Sequence, residues 1–200
     1  MTLHSYFRLI IAIVAIALSS QTMADNSSPT SQLRLSVDSI LSLLKDKSLD
    51  ASARKNKIRS IINDRFYFRA MSQRTLARNW KKASAEQQKE FVSLFSDLLE
   101  KTYLGRIEAY TDERVEYLRE KSRNPKRAIV FTQIVTKSAD IPINYKLAKK
   151  GDQWLIYDVI IEEVSLISNY RSSYAEIIKK EGMDQLLNKM KDKLKTANAT

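Results

Sequence analysis

The sequence has no cysteine, only three glycines and a single histidine among its 200 residues. Without cysteine the chain can form no disulfide and offers neither a thiolate nucleophile nor a zinc-finger ligand. The glycines, Gly105, Gly151 and Gly182, lie too far apart to build a glycine-rich loop around a phosphate. Cysteine proteases, zinc fingers and the common nucleotide-binding loops are therefore excluded.

Long apolar runs are also scarce, and the one clear example lies at the N-terminus. Arg8 precedes an unbroken apolar stretch, Leu9 to Leu18, and the small-residue pattern 22–24 (Thr-Met-Ala) follows. Ten apolar residues are too few to span a bilayer, so the pattern predicts a cleaved secretory signal over residues 1–24 rather than a retained anchor. The only histidine, His4, lies inside this segment. The mature chain would then lack the histidine that most catalytic triads and many metal sites require.

Apolar residues repeat at intervals of three and four from Ser31 to about Tyr110, which predicts a series of helices. The clearest helix is predicted to begin at Ser84, because Ser84 and Gln87 have the spacing of a capping box. Its apolar stripe consists of Phe91, Leu94, Phe95, Leu98 and Thr102.

Beyond Tyr110 the apolar spacing changes to two, which predicts strands over 114–121, 127–137, 141–147 and 153–161. A turn at 150–152 joins the last two strands, and two helices end the chain. We expect one α+β domain, residues 25–200, with helices on one face of a curved antiparallel sheet of about four strands. The many aromatic and aliphatic residues fit either a filled core or an apolar pocket between helices and sheet.

Asp158 is the only acidic residue in an otherwise apolar strand. Simple alternation places it on one face with Trp154, Ile156 and Ile160. A buried aspartate can act as a general base, with a tyrosine as proton donor in a small α+β enzyme, or it can accept structural hydrogen bonds. We favour the structural role, because acids in hydrogen-bonded networks are common in folded proteins.

The neighbouring acids Glu162 and Glu163 are expected to continue this strand. Adjacent residues of a strand point to opposite faces, so these two carboxylates are not expected to act as a catalytic pair.

The chain carries 34 Lys+Arg against 23 Asp+Glu, a net charge of +11. Nucleic-acid binding would require basic and aromatic residues clustered on one element, and here the lysines are spread, so no nucleic-acid partner is expected. An anionic bilayer surface or a merely solvated basic surface remain as alternatives. Arg171 lies near the start of a predicted helix, where it could contact a phosphate or pair with Asp158 or Glu163.

Two segments resemble the signatures of the MlaC family, periplasmic phospholipid-binding proteins also known as toluene-tolerance auxiliary proteins. The first is Phe66–Trp80 (FYFRAMSQRTLARNW) with the helix that follows it, and the second is Trp154–Tyr174 (WLIYDVIIEEVSLISNYRSSY). The family pattern for the second is W-x-I-Y-D-V-x-I-E-G-V-S-L-x-x-N-Y-R, so Glu163 stands where glycine is usual. The resemblance extends from about residue 33 to 195.

This resemblance implies a periplasmic carrier that holds phospholipid acyl chains in an apolar pocket and moves lipid between the outer and inner membranes. It implies an inner-membrane ABC transporter with an MCE-domain subunit and an outer-membrane lipoprotein complex as partners. A hopanoid-type lipid is the alternative cargo. Under this interpretation the protein is a monomer, not an enzyme, and it uses no cofactor or metal.

The resemblance also turns apolar residues of the predicted elements into candidate lining of the pocket. We expect Arg69 and Arg171 to contact a lipid headgroup or a partner. The candidate lining residues are Phe66, Met71, Phe95, Leu98, Tyr103, Phe131, Tyr145, Tyr157, Val159 and Ile161.

Overall fold

The computed structural model describes residues 27–108, 114–137 and 139–196, and the predicted signal segment lies outside these ranges. Within them, the helical periodicity before Tyr110 produces four α-helices, and two more follow the sheet. The helices are α1 (Pro29–Lys45), α2 (Ala51–Arg65), α3 (Phe68–Leu76), α4 (Ala85–Glu108), α5 (Leu166–Glu181) and α6 (Met183–Thr196).

Short polar side chains begin α1, α2, α4 and α5 by accepting hydrogen bonds from otherwise unpaired backbone N–H groups. Asp50 caps α2 through Ala53, whose N–H donates to the Asp50 carboxylate at 2.8 Å. The predicted capping box at α4 is confirmed: the Gln87 N–H donates to Ser84 Oγ at 3.2 Å, and the Ser84 N–H donates to Gln87 Oε1 at 2.9 Å.

The strands form a single antiparallel meander in the order β1-β2-β3-β4-β5. Their bounds are β1 (Arg114–Asn124), β2 (Arg127–Val135), β3 (Asp140–Lys150), β4 (Gln153–Ile161) and β5 (Val164–Ser165). The predicted α+β class is confirmed, and the strand that the sequence did not indicate, β5, is only two residues long. The predicted turn between β3 and β4 is also present, with Gly151 in the left-handed conformation at a φ of 59°.

A β-bulge in β4 changes which side chains share a face of the sheet. Lys146 pairs with Asp158, whereas the next residue of β3, Leu147, pairs with Ile156, so Tyr157 is the additional residue. Because a bulge shifts the alternation by one, Ile156 lies in the same apolar cluster as Val159. The expectation that Asp158 shares the face of Trp154 and Ile156 is therefore wrong.

Buried apolar side chains form two clusters that meet at Phe66, which packs against both. The helical cluster lies among α3, α4, α5 and α6. It consists of Met71, Leu76, Phe91, Phe95, Leu98, Leu99, Ile167, Tyr174, Leu186, Leu187 and Met190. The sheet cluster covers one face of β2, β3 and β4, which we call the apolar face, together with α1. It consists of Leu33, Ala128, Val130, Ile143, Leu147, Trp154, Ile156 and Val159.

Glu162 and Glu163 do not continue β4 as the sequence suggested. They form the two-residue turn between β4 and β5, because Ile161 pairs directly with Val164. Both residues have positive φ angles, 47° and 70°, as a tight turn of this hand requires. A side chain in this conformation costs roughly 1–2 kcal/mol, which explains why glycine is favoured at such a position.

Replacing Glu163 with glycine is expected to raise the free energy of unfolding by about 1 kcal/mol, because it relieves this conformational cost. Urea denaturation monitored by circular dichroism would measure the change. The Glu163→Ala variant is the control: it removes the same charge but keeps a Cβ, and it should lie within about 0.5 kcal/mol of wild type. Equal stabilisation by alanine and glycine would show that charge, not backbone conformation, is responsible.

Candidate functional site

The apolar face of the sheet continues beyond its buried cluster into side chains that are only half covered. These side chains come from strands β1 to β4, from helices α1 and α5, and from the segment between α2 and α3. They are Val37, Phe66, Tyr117, Ile134, Ile141, Tyr145, Ile161 and Leu166. Apolar surface that remains in contact with water is available to an apolar ligand, which makes this face the candidate site.

Four of the ten predicted lining residues come together at this face. Val159 belongs to the buried sheet cluster, and Phe66, Tyr145 and Ile161 are half-buried against it. Tyr145 and Val159 are directly paired across β3 and β4.

The other six predicted lining residues lie elsewhere. Met71, Phe95 and Leu98 are fully buried in the helical cluster, and Tyr103 and Tyr157 lie on its margin. Phe131 lies outside both clusters, on the opposite side of the sheet. Arg119 covers its ring, with the guanidinium carbon 3.8 Å from the ring centroid. Contact of any of the ten with a ligand stays a prediction.

Tyr117 on β1 is part of the candidate face, although the sequence did not single it out. Its hydroxyl is buried and has no hydrogen-bond partner among the described residues. Burial raises the pKa of Tyr117, so its hydroxyl remains protonated and can donate a hydrogen bond. The guanidinium of Arg34 lies over its ring, 4.0 Å from the centroid.

A concavity of about 670 Å³ opens elsewhere, between α2 and α4. Arg59 and Glu100 bridge it: Arg59 Nε donates to both carboxylate oxygens of Glu100 at 2.8 Å. Its lining residues are Lys55, Arg59, Asn63, Ser96, Asp97, Glu100, Lys101, Leu104, Gly105, Glu108 and Leu194. Charged groups lose their hydration when apolar chains cover them, so this cleft does not suit an apolar ligand.

The charges of this cleft act on one another. Hydrogen bonding to Glu100 raises the pKa of Arg59. Partial burial, followed by the charge of Glu100, raises the pKa of Asp97, against the lowering effect of Arg59. The Arg59–Glu100 ion pair therefore links α2 to α4 across the cleft. The charge of Arg59 offsets only part of the rise in the pKa of Asp97.

Asp158, the candidate general base, is 5% exposed and makes several structural hydrogen bonds. Its carboxylate accepts from Lys146 Nζ at 3.0 Å, from Ser165 Oγ at 2.9 Å and from the Ile167 N–H at 3.3 Å. Ser165 is also the residue that caps α5. Asp158 thus fastens the start of α5 to the sheet, which is the structural role that the sequence favoured.

The two predicted headgroup residues are both exposed and lie near α3. Arg171 Nε donates to the Arg74 carbonyl oxygen at 2.8 Å near the end of α3, and it does not pair with Asp158 or Glu163. The Arg69 guanidinium lies 5.6 Å from the centre of the Trp80 ring system. Arg74, which the sequence did not indicate, lies 4.2 Å from the centroid of Tyr157.

The described ranges hold neither a candidate metal centre nor a membrane-spanning helix. Residues 27–108, 114–137 and 139–196 contain no group of three or more acidic, histidine or cysteine side chains placed to hold a metal ion. None of the helices in the same ranges combines the length and hydropathy that crossing a bilayer requires.

The fold and the site together define a class: α+β proteins in which an antiparallel meander presents a partly open apolar face beside a helical layer. The model of the MlaC protein family matches residues 35–192. The chain belongs to the MlaC family.

Named relatives and a solved structure agree with this assignment. The chain is 22% identical over 197 residues to the intermembrane phospholipid transport system binding protein MlaC of Haemophilus influenzae, covering 94% of this chain and 92% of that protein. It is 24% identical over 105 residues to the toluene tolerance protein ttg2D of Pseudomonas putida, covering 52% and 49%. The phospholipid-binding protein of Ralstonia solanacearum, solved in complex with a phospholipid, matches with a TM-score of 0.74 at 22% identity, over 83% of this chain and 96% of that one.

Proposed function

We propose that this protein is a periplasmic carrier that holds phospholipid acyl chains against the apolar face of its sheet and moves lipid between the outer and inner membranes. The half-buried apolar side chains of that face carry the proposal, because they leave apolar surface of the sheet accessible to an acyl chain. Membership of the MlaC family and the phospholipid named for its relatives support it. Residues 1–24 would be the signal that directs export, and 25–200 the lipid-binding domain.

The energetics of lipid transfer explain why such a carrier needs no catalytic group. Each CH₂ moved from water to an apolar site gains about 0.8 kcal/mol, so a diacyl lipid with roughly 28 of them is held in its bilayer by about 20 kcal/mol. An apolar face removes most of this barrier during transfer. Because bilayer and carrier are both apolar, transfer between them is nearly neutral, and direction must come from partners. We infer an energy-consuming ABC transporter with an MCE-domain subunit and an outer-membrane lipoprotein complex.

Native mass spectrometry tests the proposal most directly. The full chain would be expressed in a bacterium with two membranes and purified from the periplasm without detergent, with lipid extraction in parallel. We expect the mass of residues 25–200 plus a discrete phospholipid mass. A hopanoid mass in place of the phospholipid mass would change the identity of the cargo but still support the carrier role. Protein that is bare, and stays bare after incubation with phospholipid vesicles, would overturn the proposal.

The Tyr117→Phe variant is expected to raise the free energy of unfolding of the lipid-free protein by about 1 kcal/mol. The change removes a buried hydroxyl that has no hydrogen-bond partner among the described residues and keeps the aromatic ring in place. Urea denaturation of delipidated protein measures the effect. A less stable variant would show that the hydroxyl forms a favourable interaction in the folded protein.

A further inference from the structure

Two hairpin ends that are distant in sequence meet at one end of the sheet. The turn between β1 and β2 is joined to β3 by a backbone hydrogen bond, in which the Lys149 N–H donates to the Lys126 carbonyl oxygen at 3.1 Å. Arg127 pairs directly with Ala148. The basic residues of both segments therefore lie around this end of the sheet, on both of its faces, and we call them the basic hairpin surface. It consists of Arg119, Lys121, Arg123, Lys126, Arg127, Lys149 and Lys150.

Charge is strongly concentrated on this surface. The thirteen residues 119–127 and 149–152 contain seven cationic side chains and two carboxylates, and so hold five of the chain's eleven net positive charges. Of the two acids, Glu120 is already engaged by the start of α1, because it accepts from Thr30 N at 3.0 Å and from Thr30 Oγ1 at 2.7 Å. The other, Asp152, lies exposed in the turn between β3 and β4. The surface thus keeps a large uncompensated positive charge.

Several of these cations are held in place by aromatic rings. Arg119 lies over Phe131 at 3.8 Å, and Arg127 lies 4.8 Å from the centroid of Tyr157. Lys150 Nζ lies 5.1 Å from the ring centre of Tyr67. Such cation–π contacts already restrict the cationic side chains, so less conformational entropy is lost when an anion binds.

Protection of an exposed sheet edge does not account for the whole surface. Charged residues on β1, an edge strand, do discourage pairing with another sheet. Lys149 and Lys150, however, lie on β3, which has a neighbouring strand on each side. A charge pattern that extends to an interior strand indicates a ligand rather than edge protection alone.

We propose that the basic hairpin surface docks this protein on anionic phospholipid bilayers. Protein interfaces have an apolar centre with aromatic anchors, and here the rings are covered by cations. A layer of lipid phosphates needs no such centre and attracts clustered Lys and Arg. This docking is separate from cargo binding, because the apolar face and the hairpin ends are different parts of the sheet.

Vesicle sedimentation tests the docking. Wild type is expected to bind vesicles of phosphatidylglycerol and phosphatidylcholine at low salt, not vesicles of phosphatidylcholine alone, and to dissociate as salt rises. The variant K121E/R123E/K126E changes three exposed residues with no ion pair among the described residues. It should bind at least about a hundredfold more weakly.

The matched control K81E/K82E/K89E makes the same change in net charge on exposed lysines of the segment leading into α4 and of α4 itself. It should bind within a few-fold of wild type. Circular dichroism would verify that both variants fold, and native mass spectrometry would measure cargo independently. Equal binding by wild type and the hairpin variant, equal losses in both variants, or no binding to anionic vesicles would each overturn the docking proposal while leaving the carrier proposal intact.

Discussion

We expect the lipid-loaded fraction of the Ile161→Arg variant to be more than about tenfold lower than that of wild type, while the variant remains folded. Ile161 ends β4 and is half-buried against the sheet cluster. An arginine here can direct its guanidinium toward water in the lipid-free protein, so folding tolerates it. A lipid that covers the same surface must either bury that charge or leave the surface exposed, and both outcomes reduce affinity. Native mass spectrometry of periplasmic protein gives the loaded fraction.

Ile160→Arg provides a closely matched control, because Ile160 is also half-buried but, as the adjacent residue of β4, points to the opposite face of the sheet. The same residue introduced there should leave lipid loading unchanged. The buried neighbour Val159, 6% exposed, is a less selective position, since Val159→Arg is expected to abolish loading and also to disrupt the cluster that stabilises the sheet. Normal loading of Ile161→Arg would remove this edge of the apolar face from the binding site.

Replacing Asp158 with alanine is expected to lower the free energy of unfolding by about 3 kcal/mol. The change removes the acceptor for Lys146, Ser165 and the backbone of Ile167 at a site with almost no access to water. It also leaves the ammonium group of Lys146 without its carboxylate partner. Chemical denaturation with a check that the m-value is unchanged would measure the loss.

The exposed Asp152→Ala variant should stay within about 0.5 kcal/mol of wild type, which controls for the loss of one negative charge. Asp158→Asn keeps the shape of the side chain, and we expect it still to load lipid. That result would also remove the alternative that the protein is an enzyme using Asp158 as its general base. A stability of Asp158→Ala equal to that of wild type would contradict the role of this carboxylate as a tie between sheet and helix.

Local chemistry made much of the fold predictable. The capping box at Ser84 depends on residues three apart, and the turn at Gly151 depends on one residue with a favourable left-handed conformation. Such features need no knowledge of distant contacts. The helical stripe of α4 was equally clear, because Phe91, Phe95 and Leu98 repeat at helical spacing and all are buried.

The candidate site was harder to predict, because it depends on tertiary arrangement. The bulge at Tyr157 carries no distinctive residue, so strict alternation gave the wrong neighbours for Asp158. Apolar character alone could not separate Met71, in the helical cluster, from Ile161, at the margin of the apolar face. The lysines appeared dispersed in sequence, and only the pairing of β2 with β3, which includes the hydrogen bond between Lys149 and Lys126, brings the two turns to one end of the sheet.

The position of Phe66 has a mechanical consequence. Its ring packs against both apolar clusters, and its backbone bridges to Ile156, next to a hydrogen bond from the Tyr67 N–H to the Ile156 carbonyl oxygen at 2.8 Å. Partly covered apolar side chains border both clusters, and Phe66 belongs to both borders. Any displacement of the helical cluster relative to the sheet therefore moves a residue that lies at the candidate site.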